Sequence, residues 1–107
     1  MKKTIKAPTE RGLIEVTGKV ALLYVGQYRY KFLIQDTITS EKFLTHYASG
    51  MKLGSLTPVK LASYRSGAVL KDRDAAIDLL ARLTLKHGEK TVRDKLDNAP
   101  IINGGAS

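Results

Sequence analysis

The chain has no cysteine, no tryptophan, only three prolines and no long apolar run. Zero cysteine excludes a disulfide framework, a thiol nucleophile and any thiolate metal site. The longest wholly apolar stretch, residues 20–25, is six residues long, against the roughly 20 that a membrane helix needs. The basic start runs into Pro8-Thr9-Glu10, where a secretory signal would carry its apolar segment. A soluble, cytoplasmic protein with no membrane association is expected.

The signatures of common chemistry are also missing. There are two histidines, His46 and His87, too far apart in sequence and too few to mark a metal site, so no metal ligands are expected. Ser49 and Ser66 each precede a glycine, but neither lies in the Gly-x-Ser-x-Gly turn that exposes a nucleophile. They read as turn residues. No Gly-x-Gly-x-x-Gly and no Gly-Lys-Ser/Thr is present, so nucleotide-dependent chemistry has no foothold and no cofactor is expected. Four acids, Glu10, Glu15, Asp36 and Glu41, are scattered through the basic two-thirds of the chain and do not have the spacing of a metal-dependent nuclease. The sequence reads as a non-enzyme. An enzymatic reading would need the fold to gather His46, Ser49 and an acid such as Asp36.

What is present is an ordinary globular composition, 43% hydrophobic and 26% charged over 107 residues. That is one domain, large enough to bury roughly two-thirds of its unfolded surface. Its net charge of +8 is unevenly placed. Residues 1–71 hold 12 basic and four acidic residues, whereas residues 72–107 hold six of each sign. A one-sided positive potential attracts polyanions, nucleic acid first and an acidic protein surface second.

Along the chain, residues 1–11 are polar, basic and broken by Pro8, and read as a flexible arm. From Gly12 the pattern turns strand-like, with Ile14, Val16, Val20, Leu22 and Tyr24 at even positions and Gly18 as a turn or bulge. Gly26-Gln27 reads as a hairpin tip. The returning strand, residues 28–35, places Tyr28, Tyr30, Phe32 and Ile34 on one face and Arg29, Lys31 and Leu33 on the other. Residues 37–71 admit two readings. In one, residues 43–47, 51–53 and 59–64 are strands; in the other, Ser40 caps a short helix and Thr57-Pro58 starts a second that ends at Gly67. The β-rich Thr37-Ile38-Thr39 favours strands. Residues 44–53 and 61–70 share five of ten positions, but two copies fall short of a repeat architecture. Beyond them the spacing of Ala76, Ile77, Leu80 and Leu83 predicts a helix over residues 73–87, and Val92, Leu96 and Ala99 a shorter one over 89–98 that Pro100 closes. Residues 103–107 read as a flexible tail.

The expected architecture is α+β: an antiparallel sheet of about four or five strands over residues 12–70, with two C-terminal helices packed on one face. Residues 12–102 form the folded core. The constellation that bears on function is Tyr24, Tyr28, Arg29, Tyr30, Lys31 and Phe32 in one hairpin, because aromatic rings stack on unpaired bases while Arg and Lys follow phosphates. The same alternation supports a plainer account, in which the aromatics are core and the basic residues are solvated. The function expected is a small, non-catalytic, basic module that binds nucleic acid, DNA or RNA, with Lys19, Arg29, Lys31, Lys52, Lys60 and Arg65 as phosphate contacts and Tyr28 and Tyr30 as stacking residues. The alternative is a protein-interaction module, an inhibitor, adaptor or homodimer subunit, using the basic face or a free sheet edge.

Overall fold

Gly12 and Gly26 take positive φ angles of 106° and 64°; Gly12 follows the turn at residues 10–11 and Gly26 opens the turn at residues 26–27, each folding one strand back on the next. In the computed structural model, which describes residues 2–37, 39 and 41–103, five strands follow: β1 (Lys2–Thr9), β2 (Gly12–Val25), β3 (Tyr28–Asp36), β4 (Lys42–His46) and β5 (Lys52–Ser55). They pair antiparallel in the order β1-β2-β3-β4-β5. Three helices complete the chain: α1 (Thr57–Arg65), α2 (Asp72–His87) and α3 (Glu89–Asn98). The α+β class expected from the sequence is the one observed.

Strand alternation divides the buried residues between two cores. On the helix side, Ala21, Leu23 and Val25 of β2, Tyr30, Phe32 and Ile34 of β3, and Leu44 of β4 pack against Val59, Ala75, Ala76, Leu80, Val92 and Leu96 of the helices. On the opposite side Ile5, Ala7, Val16 and Leu33 cluster, joined by half-buried Val20 and Tyr47. β2 therefore buries an even-numbered residue before Gly18 and odd-numbered residues after it. The change of core occurs where a Cβ on Gly18 would lie 2.0 Å from the Ile34 carbonyl oxygen. Only glycine permits two backbones to approach so closely.

The second core exists because the sheet curls. In the sheet β1 pairs with β2 alone, yet its backbone abuts the turn between β4 and β5. A Cβ on Gly50, at φ 69°, would lie 2.4 Å from the Lys6 carbonyl oxygen. Asn103 closes the contact. Its Oδ1 accepts the Lys6 N–H at 2.7 Å, and its Nδ2 donates to the Lys6 and Tyr47 carbonyls, each at 2.8 Å. The backbone N–H groups of Ile102 and Asn103 both donate to the Ala48 carbonyl.

Three expectations are corrected. The arm of residues 1–11 is an edge strand over Lys2–Thr9, because Ile5 and Ala7 are apolar at alternate positions and bury against Val16. Residues 59–64 are helical, so the strand reading fails there: Pro58 suits a first helical turn, Val59 docks on the helix-side core, and Gly67 at φ 87° lies just past the helix end. The five positions shared by residues 44–53 and 61–70 thus fall on a hairpin and on a helix with its exit loop, so they are no structural repeat. Asn103, read as part of a tail, is the closing residue; residues 104–107 lie outside the described residues, as do Ile38 and the proposed cap Ser40.

Replacing Asn103 by Ala removes three side-chain hydrogen bonds and leaves the Lys6 amide without its partner. Asn103→Ala is expected to lose about 1–3 kcal/mol of stability, read as a lower urea midpoint at unchanged slope; an unchanged midpoint would show that the closure adds nothing.

Candidate nucleic-acid interface

A two-residue tip at Gly26-Gln27 fixes the register of the β2–β3 hairpin, and the register decides which side chains meet. Tyr24 pairs with Arg29, and Leu22 with Lys31. All four project away from the helices, on the side shared by Val20 and Leu33. Tyr24 is 62% exposed and Leu22 is 42% exposed. From the end of β4, Tyr47 adds its ring, with the Lys31 Nζ 4.1 Å from the ring centroid. The β1–β2 hairpin covers Leu33 and Thr45 but leaves this end of the sheet open. Further along the same face Lys52 lies over the Phe43 ring, also at 4.1 Å. On this side β2, β3 and β4 carry Arg29 and Lys31 but no carboxylate.

The eight residues expected from the sequence to contact nucleic acid are dispersed. Arg29 and Lys31 lie on the open face, and Lys52 on its continuation. Tyr28 is exposed at the end of β3, but the Arg93 guanidinium of α3 stands 4.2 Å from its ring centroid. Tyr30 is corrected outright. It is 9% exposed, within the helix-side core, and its hydroxyl donates to Asp97 Oδ1 at 2.9 Å. Burial, then that hydrogen bond, pushes its phenol up to about 12. Its ring is core, as the plainer account of the alternation has it. Lys19 lies at the β2 edge, facing the start of α2. Lys60 and Arg65 belong to α1, in the helix layer.

Pairing further separates these cations. Lys2, Asp36, Lys42, Asp72 and Lys60 form an alternating ion chain: Lys2 Nζ is 2.7 Å from Asp36, Lys42 bonds Asp36 and stands 3.6 Å from Asp72, and Lys60 bonds Asp72. Hydrogen bonds from Lys2 and Lys42 hold the Asp36 carboxyl below the usual carboxylate range. Lys60 is therefore already neutralised by a carboxylate. Arg29, Lys31, Lys52 and Arg65 have no ion-pair partner among the described residues.

Leu22 and Tyr47 belong to no expected constellation, and Tyr24, part of the hairpin constellation, is not among the eight expected contacts. Tyr24 was legible in principle, since a two-residue tip by itself sets Tyr24 opposite Arg29. Tyr47 was not, because the sequence does not specify the register of β4 on β3.

His46 and Ser49 do come together, with Nδ1 and Oγ 2.8 Å apart. They are 3% and 2% exposed. The Ser49 hydroxyl accepts the Met51 N–H, and Gly50 N–H donates to the His46 carbonyl. Asp36 lies at the other end of the strands in the ion chain. The contact holds the β4–β5 turn against which β1 closes. Among the described residues no three of His, Asp and Glu gather as a metal site, and no helix is long and apolar enough to cross a membrane. Comparison of the chain with protein-family models, with curated proteins and with solved structures finds no match.

Burial pushes His46 below its ordinary range, with the Asp97 carboxylate opposing. The folded state thus favours the neutral ring, so its contribution to stability is complete above about pH 6.5 and declines as pH falls below it. Urea unfolding between about pH 7.5 and pH 5, above the carboxylate range, is expected to show this decline in the wild type and a flatter profile in His46→Gln. A flat wild-type profile would contradict it.

Proposed function

We propose that the chain is a non-catalytic, cytoplasmic module that binds single-stranded nucleic acid on the open end of its sheet. The observation that carries this reading is the juxtaposition, set by register, of exposed Tyr24 with Arg29 and of Lys31 with Tyr47, on a side where β2, β3 and β4 carry no carboxylate. A tyrosine face stacks on any unpaired base, for about 1–3 kcal/mol, and the adjacent cations neutralise phosphates without reading sequence. Bases in a duplex are already stacked, so the surface suits single strands better. Lys31 sits on Tyr47 as a cation on a ring face, and moving it onto a phosphate would leave that face to a base.

An acidic protein surface is the competing partner, since it would answer the same charges. It gives no account of the exposed Tyr24 ring, which a charge-matched contact does not require.

The test is fluorescence anisotropy of labelled single-stranded DNA, RNA and duplex DNA, titrated at several salt concentrations. Single strands are expected to bind more tightly than duplex, with log affinity falling linearly against log salt. Tyr24→Ala should weaken single-strand binding about 5- to 150-fold with the salt slope unchanged. Arg29→Ala with Lys31→Ala should weaken binding to all base compositions and reduce the slope by about 1.4. No binding at low salt, where charge alone shows itself, overturns the reading and favours the acidic protein partner.

A further inference from the structure

β1 pairs with β2 only as far as Lys19, so among the described residues the outer edge of β2 over residues 20–25 has no strand neighbour. The α1–α2 connection turns toward that edge, and a cleft forms between them, lined by Lys19, Val20, Ala21, Ile34, Lys71, Asp72 and Arg73. Arg73 Nη2 donates to the Leu22 carbonyl at 3.1 Å, tying the cleft to the residue that faces Lys31 across the sheet. An arginine has five N–H donors, and this bond uses one of them. The single carboxylate of the cleft, Asp72, belongs to the ion chain with Lys60 and Lys42. Lys19, Lys71 and Arg73 are exposed, and none has an ion-pair partner among the described residues. Their charges are uncompensated beside an apolar strand edge.

Two occupants suggest themselves for such an edge. A second copy of the chain, paired strand to strand, would set one cluster of three cations against another, and the Leu22 carbonyl it needs is already taken by Arg73. A polyanion meets neither obstacle. We propose that Lys19, Lys71 and Arg73 hold the sugar-phosphate backbone of a single-stranded nucleic acid where it leaves the open face at Leu22 and Tyr24. This rests on the reading of that face as the base-contacting surface and adds the course of the backbone: past Tyr24 and along the β2 edge toward the start of α2. The bases stay on the tyrosines while the phosphates follow the edge, so the cleft contributes affinity that is indifferent to base identity.

The experiment compares wild type, Lys19→Gln with Lys71→Gln, and Tyr24→Ala against labelled oligo(dT) and a mixed-sequence single strand across a salt series. Neither lysine is in an ion pair among the described residues, so the double variant keeps the fold, checked by an unchanged thermal midpoint; Arg73 is left intact because its bond to Leu22 is structural. The double variant is expected to bind about 25-fold more weakly at about 0.1 M salt, with the slope of log affinity on log salt reduced by about 1.4, since each phosphate that a lysine neutralises on a single strand adds roughly 0.7 to it. The weakening should be equal for both oligonucleotides. A double variant that binds with wild-type affinity and full slope, while Tyr24→Ala weakens binding, overturns the backbone course and leaves the open face standing. A wild type that binds no single strand overturns both.

Discussion

The close approach of two backbones at Gly18 is the constraint on which the molecule depends. Around it the buried side of β2 changes, from Val16 in the second core to Ala21, Leu23 and Val25 in the helix-side core. With it the first hairpin folds over Leu33 and Thr45, and the sheet acquires a second core on the side that the helices leave bare. Antiparallel sheets commonly leave one face wet. Here half of that face is covered, and the half left open carries the tyrosines and cations. The hairpin that closes the second core also limits the candidate interface.

The change of buried parity at Gly18 explains which parts of the structure were legible from the sequence. The hairpin tip at Gly26-Gln27, the strand after it and the two long C-terminal helices follow from local signals: turn glycines, period-two alternation, a 3.6-residue stripe and a stopping proline. β1 was not legible, because its apolar positions are only Ile5 and Ala7 and its partner is a strand whose buried parity changes midway. A single alternation read through residues 14–24 assigns Leu22 and Tyr24 to the core, whereas after Gly18 the core takes Ala21, Leu23 and Val25. The helix α1, one of the two readings of its segment, yields to the strand reading for another reason. Nine residues with one buried side chain, Val59, leave too little periodicity to outweigh neighbouring β-formers, although Pro58 and Gly67 bracket it correctly.

For the interface, composition located the positive charge but not its availability. Three of the lysines in the basic two-thirds, Lys2, Lys42 and Lys60, serve an ion chain that ties β1, β3, β4, α1 and α2 together, while Arg29, Lys31, Lys19 and Lys71 remain uncompensated. Two of them lie on the open face and two at the strand edge beside it. The aromatic residues divide in the same way: Tyr30 gives its ring to the core and its hydroxyl to Asp97, while Tyr24, one strand over and on the other side, stays in water. Register, which composition cannot express, separates structural residues from those free to meet a ligand.

The closure by Asn103 bears on how the chain is made. It joins Lys6 to a residue 97 positions later, so the contact with the largest sequence separation also joins the beginning of the fold to its last described residue. During synthesis, which delivers the N-terminal segment first, the hairpins and α1 can form as they emerge, but the first hairpin is secured against the β4–β5 turn only after residue 103 has left the ribosome. Until then the apolar side of β1 and the backbone of Gly50 face each other without their lock, and the nascent domain remains open on the side where the finished protein is closed.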